Sequence, residues 1–152
     1  MRATCLFNSD KALGTPKERF WVDSQYDLNV GGEYVVYAMG LFKSIHSHSP
    51  EMSVLVIDDN GVPGLVPIGL FQFRSYLLPF EWEFALYDGL SASGRSHLSP
   101  HSHESHWIAK WGYPEFVQNP DHTDLLQEGD PDARAIFFAE MERRRSLSEF
   151  YQ

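Results

Sequence analysis

Residues 33–42 read EYVVYAMGLF and follow the glycine pair Gly31-Gly32. Aromatic and β-branched residues favour extended backbone, and adjacent glycines are typical of a turn. The stretch therefore predicts a strand that begins just after a turn. Because almost every residue in it is apolar, both faces of this strand are predicted to be buried.

A second apolar run, MSVLVID, occupies residues 52–58 and leads into Asp59-Asn60-Gly61. Asn and Gly tolerate the positive φ angles that tight hairpin turns require. This is the clearest hairpin signal in the chain. Pro63 and Pro67 exclude a long regular strand after the turn, because proline cannot donate a ladder hydrogen bond.

Shorter strands are predicted further along the chain. Ile68–Phe73 resumes an apolar pattern, and Trp82–Tyr87 begins with alternating apolar and polar residues. Residues 89–106 then break this composition with repeated serine and histidine, which predicts a polar loop. A turn is predicted at Gly112-Tyr113-Pro114.

Two helix starts follow, at Asn119-Pro120-Asp121 and Asp130-Pro131-Asp132. Each places a capping side chain ahead of a proline at the first helical position. The first predicts a short helix that runs toward Leu126, and the second predicts a helix over 133–147. The side of this second helix that is predicted to pack on the sheet carries Ala133, Ile136, Phe137, Glu140 and Met141.

Short strands separated by Gly, Pro and Asp turns and followed by helices predict a mainly β domain with C-terminal helices. A small SH3-like barrel or a strongly twisted antiparallel sheet fits this pattern best, and an open α+β sheet is the alternative. The length of 152 residues predicts a single domain over 1–152. Its Ser/His-rich loop is expected at 89–106 and its helical part at 119–147.

The charge of the chain is strongly acidic, with 21 Asp and Glu residues against 12 Lys and Arg residues and a net charge of -9. Such a chain repels phosphate backbones, and its only dense basic run is Arg143-Arg144-Arg145. No nucleic-acid partner is therefore expected. The acidic excess favours either a partner with a basic surface or simple solubility.

Membrane and disulfide signals are missing from the sequence. No apolar run approaches the roughly 20 residues of a membrane span, and the residues from Met1 to Asp10 lack the layout of a signal peptide. The single cysteine, Cys5, cannot form an internal disulfide. A cytoplasmic protein without a membrane association is predicted.

Four histidines, at positions 97, 101, 103 and 106, fall in the polar loop. Imidazole is a good ligand for zinc, nickel and copper. An extended segment places His101 and His103 on one side, whereas a helix is needed to bring His97 beside His101, so no single local conformation serves all four residues with His106. No functional metal is predicted. A metal-binding protein or metal-dependent enzyme that uses this loop is the alternative.

Other catalytic patterns also fail. The chain contains no Gly-x-Ser-x-Gly elbow, and Gly31-Gly32 precedes a strand instead of the helix N-terminus that an anion site needs. The aromatic residues lack the neighbouring basic residues that RNA stacking requires, so most are assigned to the core. A non-enzymatic protein without a cofactor is predicted, with an exposed aromatic residue or two as further partner anchors.

Three stretches of the chain resemble small bacterial immunity proteins of polymorphic toxin and contact-dependent inhibition systems. The stretches that carry the resemblance are 30–39, 67–82 around Pro67, Phe71, Pro79 and Trp82, and 111–116 with His122 and Leu125 beyond. The resemblance implies a non-enzymatic protein that binds and neutralises a cognate toxin in the cell that makes it. The loop at 89–106 is not part of the pattern.

Together, the resemblance and the net charge predict that carboxylates contact a basic surface of the toxin. The best candidates lie on turns, polar strand positions and the loop, where side chains are expected to reach solvent. These predicted partner-binding residues are Asp58, Asp59, Glu81, Glu83, Asp88 and Glu104.

Overall fold

A computed structural model describes residues 1–14, 24–44, 49–75, 77–87 and 105–150. The strands in these ranges are β1 (Arg2–Cys5), β2 (Glu33–Val35), β3 (Ala38–Ser44), β4 (Glu51–Ile57), β5 (Pro63–Pro67), β6 (Phe71–Phe73), β7 (Glu83–Leu86) and β8 (Ser105–Gly112). The helices are α1 (Pro114–Gln118), α2 (His122–Glu128) and α3 (Pro131–Phe150).

The strands form two antiparallel sheets, one in the order β2-β1-β6 and the other in the order β5-β4-β3-β8-β7. The prediction of a mainly β chain with C-terminal helices is confirmed. Within the described ranges neither sheet closes into a barrel, so the twisted antiparallel sheet is the predicted option that agrees with the structure and the SH3-like barrel is not.

The stretch 33–42 is divided between the two sheets, so the single strand predicted there is wrong. The chain changes sheets at Val36 and Tyr37, whose N–H groups donate to the carbonyl oxygens of Met1 (2.8 Å) and Leu55 (2.9 Å). Val36 is buried in the cluster between the sheets, whereas Ala38 is buried in the cluster beneath the helices. The apolar residues of this stretch therefore pack in two separate cores.

The five-stranded sheet has a core on each face because successive residues of a strand point to opposite sides. On one side, Val54, Val56 and Val66 pack against the three-stranded sheet. On the other side, Leu55 and Ala38 pack against the helices.

The hairpin predicted after residue 58 is confirmed and joins β4 to β5. Gly61 adopts a φ of 79°, and Asp58 Oδ1 accepts hydrogen bonds from the N–H groups of Asn60 (2.9 Å) and Val62 (2.8 Å). Pro63 and Pro67 bound the short β5, which forms an edge of the sheet where a missing N–H costs little.

Helix α3 spans Pro131–Phe150, so it begins directly after the predicted Asp130 cap and extends beyond the predicted range 133–147 at both ends. Asp130 Oδ1 accepts hydrogen bonds from the N–H groups of Asp132 (3.0 Å) and Ala133 (2.9 Å), which caps the helix. Ala133 and Phe137 are buried against the sheet, whereas Ile136 is 42% exposed. The prediction that Ile136 packs on the sheet is wrong, because the contacting stripe follows the spacing 133, 137, 141 and Ile136 lies off it.

Two other local predictions need correction. Pro114 does not end a turn but lies in the first turn of α1, a position that proline favours. The stretch 68–73 is only half a strand, since Ile68–Leu70 forms a 3-10 turn before β6.

Gly40 is required by the packing of Trp107, whose ring lies over the backbone of β3. A Cβ atom at position 40 would overlap Trp107 Cζ3. We expect Gly40→Ala to lower the free energy of unfolding by about 1–3 kcal/mol, the usual cost of overpacking a core. Urea denaturation measures this effect.

Gly64→Ala is the matched control, because a Cβ atom at this strand position meets no atom within 4 Å. The two variants should differ clearly in their urea midpoints. Equal midpoints would contradict the close approach of Trp107 to Gly40.

Candidate functional site

A buried polar cluster joins β8 to the helices. Lys110, in the middle of β8, is fully buried, and its Nζ donates a hydrogen bond to Thr123 Oγ1 of α2 at 2.9 Å. The ammonium lies over the rings of Trp107 (4.8 Å), Phe116 (4.9 Å) and Tyr87 (5.7 Å). Burial lowers the pKa of Lys110 to about 8, against a weaker opposing effect from Asp124 and Asp121.

A β-bulge explains why Trp107 and Lys110 share a face of the sheet. Lys110 pairs with Gly40 and Trp107 pairs with Phe42, and the register shifts between these two pairs. The extra residue in β8 reverses the ordinary alternation of side chains. Both side chains consequently point toward the helices, where the Trp107 ring covers the space left by Gly40.

Next to this lysine, the Tyr113 hydroxyl and His122 Nε2 share a hydrogen bond of 2.7 Å, and both side chains are buried. Burial raises the pKa of Tyr113 and lowers the pKa of His122, and the neighbouring Lys110 lowers the His122 pKa further. The pair is thereby held in its neutral form.

Lysine, histidine, tyrosine and threonine are all residue types that serve in catalysis. Within the described ranges, however, Lys110, Tyr113, His122 and Thr123 line neither the cavity beside Tyr26 and Val66 nor the groove along α3. The arrangement instead fixes α2 against β8 through hydrogen bonds and ring contacts. Sequence reasoning missed this cluster; the available signal was one lysine inside the aromatic run WIAKW at 107–111.

A second feature is the apolar segment, which we define as residues 77–86. It exposes Leu77 (82%), Phe80 (85%) and Leu86 (72%) to solvent, and Leu78 and Phe84 are also exposed. Trp82, by contrast, turns inward and packs against the core between the sheets. Monomeric proteins rarely expose so many large apolar side chains together.

The exposure of Phe84 and Leu86 follows from the unequal size of the two sheets. The core between them draws on β3, β4 and β5 of the larger sheet, through residues such as Met39, Val54 and Val66. Strand β7 lies at the opposite edge of that sheet. Its Ala85 packs toward the helices, which leaves Phe84 and Leu86 on the face that the smaller sheet does not cover.

Two of the predicted partner-binding carboxylates lie in the apolar segment, and both have partners within the chain. Glu81 is 3.6 Å from Arg143 of α3, and Glu83 accepts a hydrogen bond of 2.7 Å from Gln118.

The other predicted partner-binding carboxylates do not lie in the apolar segment. Asp58 caps the hairpin turn, and Asp59 accepts a hydrogen bond of 2.8 Å from the Tyr34 hydroxyl. Both follow β4, whereas Glu83 begins β7 and Glu81 precedes it, and strands β3 and β8 lie between β4 and β7 in the sheet. Asp88 and Glu104 lie outside the described residues.

The histidines of the predicted alternative metal site are largely outside the described ranges, namely His97, His101 and His103. His106 belongs to β8, where it pairs in register with Lys43. Across the described residues, no three His, Cys, Asp or Glu side chains are grouped as a metal site.

Comparison of this chain with protein-family models, with curated proteins and with solved structures finds no match. In the part of the chain that is described, no helix has the length and apolar character needed to cross a membrane. Function is accordingly inferred from the side chains described above.

Proposed function

We propose that this chain is a non-enzymatic protein-binding module whose partner seats on the apolar segment 77–86. The observation that carries the proposal is the exposure of Leu77, Phe80, Phe84 and Leu86 within ten residues. Burying a large apolar side chain contributes about 1.5–3 kcal/mol, so a partner that covers them gains substantial affinity. Large side chains at the centre of an interface commonly dominate its binding energy.

The backbone of β7 offers a second mode of contact. Within the described ranges this strand pairs with β8 alone, and no second strand of those ranges pairs with its other edge. An extended segment of a partner can add to such an edge by main-chain hydrogen bonds. Exposed Phe84 and Leu86 on the same strand supply the side-chain contacts.

The proposed partner is a toxin with a basic surface. The chain binds and neutralises this toxin in the cell that makes the toxin. The resemblance to immunity proteins and the net charge of -9 support this choice. Glu81 and Glu83 flank the inward-facing Trp82, which places two carboxylates within the apolar segment. Charge complementarity of this kind accelerates association and selects among partners.

Growth rescue tests the proposal. The chain is co-expressed with the product of the gene adjacent to its own, which the proposal expects to be a growth-inhibiting toxin, and wild-type chain should restore growth. Leu77→Asp combined with Leu86→Asp should abolish rescue, because two desolvated carboxylates oppose an apolar interface. The control is Phe7→Asp combined with Val30→Asp, which changes two exposed apolar residues away from the segment and should retain rescue.

Circular dichroism and soluble yield of each variant separate lost binding from lost folding. Failure of the wild-type chain to protect against the toxin contradicts the immunity function. Full rescue by the Leu77 and Leu86 double variant contradicts the location of the interface.

A further inference from the structure

Helix α3 presents a short stripe of side chains outside the face that packs on the sheet. Phe137 on the inner face is buried, whereas the next residue, Phe138, is 43% exposed. Residues four apart lie one turn apart on the same side of a helix, so Arg134, Phe138 and Glu142 follow one another over about 12 Å. We define these three residues as the α3 stripe, which has an aromatic ring at its centre and opposite charges at its ends.

The two charged ends of the α3 stripe have no ion-pair partner within the ranges that the structure describes. The Arg134 guanidinium lies beside Gly129 at the end of α2, and its Nε is buried without an acceptor there. Glu142 is exposed and, unlike Glu140 one turn away from Arg143, accepts no hydrogen bond from a described side chain. One cation and one carboxylate are therefore left to pair with groups of another molecule.

The order of these charges makes the α3 stripe complementary to an antiparallel copy of itself. When a second α3 crosses the first at Phe138 in the opposite direction, Arg134 of each chain faces Glu142 of the other. In a parallel pair, like charges would face each other and oppose association. Antiparallel helices also bring the positive end of one macrodipole beside the negative end of the other. The charges therefore favour one arrangement of two identical helices.

The centre of the α3 stripe suits a close helix crossing. The two Phe138 rings meet there and are both removed from water, a contact that aromatic rings favour. Ala135 and Ala139 flank Phe138 and are exposed, and their small side chains leave room for the second helix. At the usual interaxial distance of about 8–10 Å, arginine and glutamate side chains reach across to each other.

We propose that the α3 stripe is a homodimer interface, in which a second copy of this chain packs its α3 antiparallel on the first. Phe138 lies at the two-fold axis, and two Arg134–Glu142 ion pairs join the chains. A symmetric contact of this kind closes on itself and gives a dimer instead of a filament. The interface contains no residue of the apolar segment, so it does not depend on the proposed binding of a toxin.

Sedimentation velocity over a hundredfold range of protein concentration tests the proposal. The wild-type chain should change from a monomer of 17.4 kDa to a species of twice that mass. Arg134→Glu and Glu142→Arg should each weaken dimerisation at least tenfold, because like charges then face each other at both ends of the crossing. A wild-type chain that stays monomeric, or single variants that dimerise like wild type, would overturn the proposal.

Mixing the two single variants tests the antiparallel pairing itself. One variant then carries two carboxylates in the α3 stripe and the other carries two guanidinium groups, so each end of a mixed pair joins opposite charges. The mixture should form a heterodimer with an affinity close to that of the wild-type homodimer. A mixture that remains monomeric at concentrations where the wild-type chain dimerises would overturn the assignment.

Further variants locate the contact, with circular dichroism to confirm that each is folded. Phe138→Ala should weaken dimerisation at least tenfold, whereas Lys43→Glu, which reverses an exposed charge of β3, should leave it unchanged. The Leu77→Asp and Leu86→Asp double variant should dimerise like the wild-type chain. Loss of the dimer in that double variant would overturn the proposal by placing the contact on the apolar segment.

Discussion

Replacing Lys110 with methionine is expected to abolish a rise in stability that the wild-type chain shows between about pH 8 and pH 10. The folded chain holds the pKa of Lys110 at about 8, below its ordinary value of 10.5. Between these values the unfolded chain binds a proton that the folded chain does not bind, so the free energy of unfolding rises with pH. The full lowering of the Lys110 pKa, from 10.5 to about 8, corresponds to about 3 kcal/mol in the free energy of unfolding.

Urea denaturation of both chains at pH 7.5, 9 and 10 measures this effect as a difference between wild type and variant. The two chains must be compared at each pH because three buried tyrosines also titrate. Burial raises the pKa values of Tyr37, Tyr87 and Tyr113, which lowers the stability of both chains as the pH approaches and passes 10. Lys43→Met, at an exposed position of β3, is the control and should keep the rise. A Lys110→Met chain with the wild-type pH dependence would show that Lys110 is solvated.

Phe116→Ala is expected to be among the most destabilising single substitutions in the helical part. The Phe116 ring is fully buried and contacts the rings of Trp107 and Tyr113, with centroids 6.4 Å and 5.7 Å away. Its removal leaves a cavity beside the Lys110 ammonium, and such truncations cost about 3–5 kcal/mol. Water that enters the cavity should also raise the pKa of Lys110 and shrink the pH-dependent rise.

Thermal and urea unfolding of Phe116→Ala provide the measurement. Phe138→Ala, which truncates a partly exposed ring on α3, should cost about 1 kcal/mol or less. Comparable losses for the two variants would contradict the packing of α1 against β8.

Local features of the fold could be predicted where a few adjacent residues determine the backbone. The Asp58–Gly61 turn and the Asp130 cap are of this kind, because each is built from side chains that bond to backbone groups within four residues. Helix α1 could not be predicted because Tyr113 gives no side-chain cap and Pro114 fits a turn equally well.

Tertiary features could not be predicted in the same way. The change of sheet at Val36 and Tyr37 and the bulge in β8 depend on which strands pair, and pairing across long sequence separations leaves no local pattern. For the apolar segment, the sequence predicts a strand from Trp82 and two partner-binding carboxylates, Glu81 and Glu83, but not the exposure of its large side chains. The exposure of Phe84 and Leu86 depends on how far the three-stranded sheet extends, which single-sequence patterns do not encode.

The central proposal is that a protein partner binds the apolar segment, and titration calorimetry with the purified product of the adjacent gene, the expected toxin, tests it most directly. Relative to wild type, Leu77→Asp with Leu86→Asp should weaken the Kd at least 100-fold, about 2.7 kcal/mol. Phe7→Asp with Val30→Asp should change the Kd less than threefold. Equal dissociation constants for the two double variants, or no binding of the toxin by the wild-type chain, would contradict the account.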